Sequence, residues 1–181
     1  MALYQNEYRV KSARLKGWDY RSPGWYFITI CTRNHVHIFG DVVCGQVRLS
    51  PSGQVADSEL RNLPGHYLNI AADRFIVMPN HIHAIVVIGG QHRHSPNPKM
   101  RSEPVHRGLV VIPPKAGSLA AIIRSYKAGV TRQCHATGLK TFAWQAGFYD
   151  HIVRGNESLQ AIQDYIEQNP ANWPQDPENK P

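Results

Sequence analysis

Two apolar runs lie next to each other near the middle of the chain, at residues 75–78 and 81–88, with only Pro79 and Asn80 between them. Pro followed by Asn is a turn signal, so these runs predict two strands joined by a tight connection. An earlier run, residues 25–32 (WYFITICT), is rich in β-branched and aromatic residues and predicts a buried strand. A chain with several such strands has to bury a sheet, and every other element must cover or extend it.

The rest of the chain alternates between strand and helix patterns. The patterns predict, in chain order, a hairpin over 40–50 with Cys44-Gly45 near its turn, a helix over 52–63 ended by Pro64-Gly65, a helix that begins after an N-cap at Ser118, a strand over 148–154, and a helix from Asn156 to Gln168 or Asn169 stopped by Pro170. This order predicts an α+β fold. Its most economical form is a ferredoxin-like split βαβ antiparallel sheet, with helices on one face and an additional C-terminal helix.

The 181 residues predict one domain, residues 1–181, without an internal repeat. Residues 1–24 form a predicted basic arm, and residues 89–117, with five prolines and four glycines, form a predicted flexible basic loop. The longest apolar run near the middle, residues 84–88, is far shorter than a membrane span, and the first ten residues carry no apolar signal segment. We therefore expect a cytoplasmic protein with no membrane partner.

Positive charge is unevenly distributed along the chain. The formal net charge is +7, and the local sums are +4 over 1–33, −1 over 34–88, +8 over 89–140 and −4 over 141–181. Clustered basic residues are typical of proteins that bind polyanions, although a solvated basic surface produces the same pattern. The three cysteines are scattered and have no CxxC spacing, which favours a reducing compartment over a disulfide framework or a zinc knuckle.

The residues that point most directly to chemistry are His81 and His83, at the start of an apolar run. Side chains alternate across a strand, so both imidazoles are predicted to share one face of the sheet, where they can bind one divalent metal. The spacing alone is weak, since strand histidines with ordinary hydrogen bonds share it. A second pair, His35 and His37, is interpreted as polar residues at a strand end and not as a metal site.

The segment 78–83 (MPNHIH), with YFITICT upstream and FYDHIVR and YIEQNP downstream, resembles the single-tyrosine HUH transposases. The resemblance is strongest to the REP-associated tyrosine transposase group and covers nearly the whole chain. It implies a metal-dependent single-stranded DNA endonuclease and strand transferase on a ferredoxin-like fold, acting through a 5′-phosphotyrosine at hairpin-forming repeats. It also implies a nucleoid-associated bacterial protein that needs Mg²⁺ or Mn²⁺ and no small-molecule cofactor.

In this family the histidine pair binds the metal, a helix tyrosine is the nucleophile and a polar residue four positions later completes the metal site. The resemblance assigns these roles to His81, His83, Tyr165 and Asn169. Tyr165 and Asn169 would lie one helical turn apart on one side of the last helix. Tyr126 is the competing helical tyrosine, but it falls near the centre of an apolar stripe and is predicted to be core, whereas Tyr165 falls on the flank of its stripe.

Several other residues are candidates for contact with DNA or for a place near the site. Asn80 and His151 are candidate near-site residues. Aromatic rings beside cations can stack bases and bind phosphates, although packing explains Trp25 equally well. The candidate DNA-contact residues are Arg14, Lys16, Trp18, Arg21, Trp25, Arg124 and Lys127.

Three alternatives stay open at this point. A non-catalytic nucleic-acid-binding module would use the same topology, but the aromatic strand motif of RNA-binding domains is absent. A zinc hydrolase would need a third ligand and a general base, and no such set stands out in the sequence. A domesticated relative would bind DNA or RNA hairpins without cutting them. The sequence does not decide the DNA target, the metal, or between a monomer and a homodimer.

Overall fold

The computed structural model describes residues 15, 17–89 and 116–179 of the chain. Within these residues the elements follow the predicted order. They are β1 (Gly24–Cys31), β2 (Gly40–Val43), β3 (Gln46–Leu49), α1 (Pro51–Arg61), α2 (Leu63–His66), β4 (Ile70–Val77), β5 (His81–Ile88), α3 (Leu119–Ala136), β6 (Tyr149–Val153) and α4 (Asn156–Gln168). Two short 3₁₀ turns, Arg33–His35 and Trp173–Gln175, complete the set.

Four of the strands form one sheet in the order β4-β5-β1-β6, and every neighbouring pair is antiparallel. The unit β1-α1-β4 leaves room for β5 between its two strands, which is the split βαβ arrangement. The predicted ferredoxin-like fold is confirmed. The strands β2 and β3 form a separate hairpin, whose turn residues Cys44 and Gly45 both have positive φ angles of 51° and 71°, as predicted for this turn.

One face of the sheet is closed by α1 and α3. Even-numbered residues of β1 and β5 point to this face, and they pack against Leu60 of α1 and Ile122 of α3 in a continuous apolar core. Tyr126 lies in this core with 2% of its surface exposed, and its hydroxyl donates a hydrogen bond to the Ala56 carbonyl at 3.0 Å. The predicted core position of Tyr126 is therefore confirmed.

The opposite face carries α4 alone among the described helices. Leu159, Ile162 and Ile166 of α4 pack on Phe27 and Ile85, which are odd-numbered residues of the central strands. The helix thus rests on a small apolar cluster near its middle. Its last turn extends past this cluster toward the end of β5 where the histidines lie.

Local boundaries differ from the sequence prediction in two places. The first helix ends at Arg61, and Pro64 and Gly65 lie inside the short helix α2 rather than after the end of α1. The strand β4 begins at Ile70 instead of residue 75, and a register shift between Ala72 and Phe75 separates its two halves. The charged residues Asp73 and Arg74 interrupt the apolar pattern before Phe75, although Ile70 is buried in the core and the segment pairs with β5.

Helices in the described part of the chain are too short or too polar to cross a membrane. Most of the predicted basic arm, and residues 90–115 of the predicted loop, lie outside the described residues.

Candidate active site

The two histidines at the start of β5 share the α4 face of the sheet, as the alternation of strand side chains predicts. His81 is completely buried and His83 is 3% exposed, and their ring centres lie 4.5 Å apart. In the antiparallel register His83 lies opposite Thr29 and His81 lies opposite Cys31. Both rings therefore converge at the end of the sheet where β5 begins.

A hydrogen-bond network fixes the orientation and protonation of His81. The amide nitrogen of Asn80 donates to the carbonyls of His35 (3.1 Å) and Glu178 (2.7 Å), so the Asn80 amide oxygen must face the other way. That oxygen lies 2.9 Å from Nδ1 of His81, which must donate to it. The lone pair of His81 therefore sits on Nε2, which is buried and has no hydrogen-bond partner. Metal-binding histidines are commonly oriented in this way.

His83 is held between the sheet and α4. Its Nδ1 lies 2.9 Å from the Thr29 hydroxyl, and its Nε2 lies 3.3 Å from the Tyr165 hydroxyl. Its ring also stacks on Phe27 at a centroid distance of 5.4 Å and an angle of 25°. These contacts leave Nε2 as the nitrogen that faces α4 and the neighbouring imidazole.

Burial keeps both imidazoles neutral. It lowers the pKa of His81 to about 3, with the nearby imidazoles of His35 and His37 acting in the same direction. Burial also lowers the pKa of His83 well below its usual value, again reinforced by its neighbour His81 and opposed by Asp176. A neutral imidazole is the form that binds a metal, so both side chains are available as ligands even at mildly acidic pH.

Tyr165 reaches the histidines from the last turns of α4. Its ring meets that of His83 at 5.2 Å and that of Phe27 edge-on at 6.1 Å, while 41% of the residue stays exposed. Partial burial raises the pKa of its phenol, and the carboxylates of Asp176 and Glu178 raise it further, whereas a hydrogen bond from Asn169 lowers it. The flank position predicted for Tyr165 thus places its hydroxyl both at the imidazoles and within reach of solvent.

Asn169 and Asp176 complete the cluster, and the sequence prediction missed Asp176. The Asn169 amide donates to the Asp176 carboxylate at 2.8 Å, and its own oxygen is buried with no partner. The same carboxylate lies 3.9 Å from Nε2 of His81. Asp176 follows the 3₁₀ turn Trp173–Gln175, which brings the chain back over the site after α4 has ended. Its only sequence signal is that it is one of two acidic residues, with Glu178, in a proline-rich tail.

The donor set fits a divalent metal. Ligand atoms of His81, His83 and Asp176 all lie within 4.8 Å of one another, and two buried atoms nearby, Nε2 of His81 and the amide oxygen of Asn169, have no partner. Buried polar groups without partners are costly, and a shared cation would satisfy both. Two imidazoles with carboxylate and amide oxygens suit several divalent ions, Mg²⁺ and Mn²⁺ included.

Comparison with known proteins supports the fold. The chain is 35% identical over 168 residues to an uncharacterized protein of Haemophilus influenzae (strain ATCC 51907 / DSM 11121 / KW20 / Rd), covering 92% of this chain and 91% of that one. The two proteins belong to one family. The solved structure of a REP-associated tyrosine transposase bound to a REP hairpin superposes with a TM-score of 0.56 at 18% identity, covering 89% of this chain and 74% of that chain. No protein-family model matches the chain.

This chain has the REP-associated tyrosine transposase fold. Within that fold, the four residues assigned by the motif resemblance converge on one site, and Asn80, predicted to lie near it, bonds directly to His81. His151 lies on β6 opposite Phe27, on the same face of the sheet as His83, and its role stays a prediction.

The predicted DNA-contact residues lie in several places on the transposase fold. Trp18 donates from its indole to the Tyr26 hydroxyl at 3.2 Å, and Arg21 forms a bidentate pair with Asp19. Trp25 packs beside the apolar cluster under α4. Arg14 and Lys16 lie outside the described residues.

The two candidates on α3 differ from each other. Arg124 is exposed. The Lys127 ammonium donates to the carbonyls of Gln145 (2.9 Å) and Gly147, and burial lowers its pKa to about 8. Lys127 therefore holds the loop before β6, and contact with DNA stays a prediction for both residues.

The second histidine pair, His35 and His37, lies against the C-terminal segment. The sequence interpretation gave these residues only a place at a strand end. His37 packs on Trp173 at 5.4 Å, and Trp173 in turn lies 5.9 Å from His81. His35 lies 3.3 Å from the Glu178 carboxylate. These side chains help to hold residues 173–178 over the end of the sheet.

Proposed function

We propose that this protein is a metal-dependent single-stranded DNA endonuclease and strand transferase of the transposase type. It would cut and rejoin DNA through a 5′-phosphotyrosine on Tyr165. The observation that carries the proposal is the approach of the Tyr165 hydroxyl to within 3.3 Å of Nε2 of His83, beside the other candidate ligands. A phenol that is partly exposed and next to a buried ligand set is in a position to attack a phosphate bound there.

The residues around the two histidines have separate roles in the proposed reaction. Thr29 and Asn80 orient the two imidazoles, while Asn169 and Asp176 supply oxygen atoms on the opposite side. A divalent cation bound by these groups would polarise a non-bridging phosphate oxygen and offset the negative charge that raises the pKa of Tyr165. The small apolar cluster under α4 keeps Tyr165 at a fixed height above the sheet.

The transfer step is an exchange of one phosphodiester bond for another. The Tyr165 oxygen forms a bond to phosphorus, the bond from phosphorus to the 3′ oxygen breaks, and the proton lost by the phenol is balanced by the one gained by the departing 3′-hydroxyl. The phosphotyrosine keeps the energy of the bond. A second 3′-hydroxyl can therefore attack it in reverse, and rejoining needs no nucleotide cofactor.

The substrate class proposed is single-stranded or hairpin DNA. The basic excess of +8 over 89–140 and +4 over 1–33 supports a polyanionic partner. The neighbouring transposase structure, which is bound to a REP hairpin, supports the same class. Because phosphate contacts release counterions, binding should weaken steeply, by about tenfold or more, between 50 and 200 mM salt. Fluorescence anisotropy with a labelled hairpin measures this, and an affinity that does not change with salt would contradict a nucleic-acid partner.

The decisive experiment is incubation of the full chain with labelled single-stranded hairpins and Mn²⁺, followed by denaturing electrophoresis. We expect a denaturant-resistant protein–DNA adduct, and we expect its labelled peptide to contain Tyr165. Tyr165→Phe should remove the adduct and cleavage while the fold stays intact. The matched control is Tyr126→Phe, which should retain both. An adduct on any residue other than Tyr165 would overturn the assignment.

One structural feature favours a second candidate, a metal-dependent hydrolase. Asp176 beside His81 and His83 forms a two-histidine, one-carboxylate set of the kind that hydrolytic metal sites use. The same experiment separates the two candidates, because a hydrolase would cut without an adduct and would tolerate Tyr165→Phe. Hairpin binding with neither cutting nor an adduct would instead indicate a non-catalytic hairpin-binding protein.

A further inference from the structure

A second cluster of ligand-type side chains lies beside the candidate active site. It consists of Cys31 at the end of β1, His35 in the following 3₁₀ turn and Glu178 near the C-terminus. Each of these side chains brings one donor atom close to those of the other two. The three atoms, the thiol sulfur, Nδ1 of His35 and one carboxylate oxygen, all lie within 4.8 Å of one another. None of the three side chains is part of the proposed transfer chemistry.

The spacing of these atoms matches tetrahedral zinc coordination. Zinc bonds of about 2.3 Å to sulfur and 2.1 Å to nitrogen or oxygen, joined at the tetrahedral angle, separate sulfur from oxygen by about 3.6 Å and nitrogen from oxygen by about 3.4 Å. The Cys31 sulfur lies 3.6 Å from the Glu178 oxygen, and His35 Nδ1 lies 3.3 Å from that oxygen. Two of the three donor-to-donor distances therefore match a tetrahedral zinc ion, and the third, between the Cys31 sulfur and His35 Nδ1, is within 4.8 Å.

Ordinary hydrogen bonding does not account for the whole cluster. Nδ1 of His35 is buried and lies within ion-pair distance of the Glu178 carboxylate, yet its alignment does not allow a hydrogen bond and it has no other partner. A buried ring nitrogen that faces a thiol and a carboxylate without bonding to either is the arrangement expected of a ligand set. We infer that Cys31, His35 and Glu178 bind a zinc ion, separate from the metal at His81 and His83.

This ion would fasten the C-terminal segment to the end of the sheet. The Glu178 carbonyl accepts a hydrogen bond from Asn80 at 2.7 Å, and the Glu178 backbone N–H donates to Asp176 at 2.7 Å. Fixing the Glu178 side chain therefore fixes two residues of the active site at once. One of them orients His81, and the other supplies the carboxylate beside it. The fourth zinc position is left for water.

Direct measurement of zinc binding tests the inference independently of DNA cleavage. The protein would be stripped with chelator and dialysed against Zn²⁺, and the bound metal would be counted by elemental analysis. A His81→Ala/His83→Ala background removes the first candidate site, and it should still bind one zinc per chain. Adding Cys31→Ser should weaken this binding by at least about tenfold, as should Glu178→Gln. Adding Cys44→Ser, an exposed cysteine on the β2-β3 turn, should leave it unchanged.

Two further readouts keep the test decisive even if one variant folds poorly. Cobalt substituted for zinc should show a near-ultraviolet thiolate charge-transfer band, which should vanish in Cys31→Ser and persist in Cys44→Ser. Zinc should slow hydrogen exchange of the amides of Asp176, Glu178 and Asn179 in the His81→Ala/His83→Ala background, and should not do so once Glu178→Gln is added. Absence of a thiolate band, or zinc retained at full affinity after Glu178→Gln, would overturn the inference. Loss of DNA cleavage alone would bear only on the proposed function.

Discussion

The two faces of the central sheet bury residues of opposite character. The face under α1 and α3 is a continuous apolar core, in which the buried helical tyrosine Tyr126 donates a hydrogen bond to the Ala56 carbonyl. The face under α4 has a small apolar cluster followed by two fully or almost fully buried histidines, a buried amide and a buried carboxylate. The α4 face contains buried ring and amide atoms of His81 and Asn169 without hydrogen-bond partners, and these mark it as the candidate functional site.

Removing both histidines of the α4 face should have the largest effect, a loss of DNA cleavage without a loss of hairpin binding. His81→Ala/His83→Ala is expected to abolish DNA cleavage while hairpin affinity stays within a few-fold, because binding is expected to depend on the basic and aromatic candidates for DNA contact and not on the two imidazoles. A gel assay of cleavage beside an anisotropy titration measures both. His135→Ala, an exposed position near the end of α3, is the matched control and should cut normally. Cutting by the double variant at the normal rate in EDTA would exclude a metal at this face.

Acid should weaken the α4 face selectively in metal-free protein. His81 has a folded-state pKa of about 3, below the usual value near 6.5, so the unfolded chain takes up a proton that the folded chain refuses. Stability is therefore unaffected above pH 6.5 and falls as the pH drops from 6.5 toward 3, by about 2 kcal/mol at pH 5 for this histidine.

Urea unfolding at pH 7 and pH 5, with EDTA present, measures this dependence. The His81→Ala/His83→Ala variant, whatever its absolute stability, should lose at least about 2 kcal/mol less than the unaltered protein over the same interval. Equal losses in the two proteins would show that these imidazoles are not held neutral by burial.

The smallest expected effect is a difference in the free energy of unfolding between variants of the two tyrosines. Tyr126→Phe removes a buried hydrogen bond and should lower the free energy of unfolding by about 1 kcal/mol. Tyr165→Phe removes a hydroxyl at a partly exposed position and should change it by less than about 0.5 kcal/mol. Urea denaturation of both variants measures the difference. The variant expected to lose more stability, Tyr126→Phe, is the one expected to keep cleavage. A larger loss for Tyr165→Phe would assign that residue to the core.

Local sequence patterns were sufficient to predict much of the fold and part of the candidate site. Strand alternation placed His81 and His83 on one face, and helical periodicity separated Tyr165 at the flank of its stripe from Tyr126 at the centre of another. The N-cap at Ser118 was also readable, because a cap depends on residues three positions apart. These features depend on neighbours in sequence, so the sequence predicts them.

Other features depend on residues far apart in the chain, and only the tertiary structure decides them. Asp176 joins the histidines because the segment after α4 turns back over the sheet, and the cluster of Cys31, His35 and Glu178 spans 147 residues. The first half of β4 escaped prediction because Asp73 and Arg74 interrupt its apolar pattern, and its pairing with β5 appears only in the tertiary structure. The sequence by itself determined which elements form and which of their faces are apolar or reactive. The chain's return over the open end of the sheet decided which distant side chains complete the site, because no local periodicity encodes that contact.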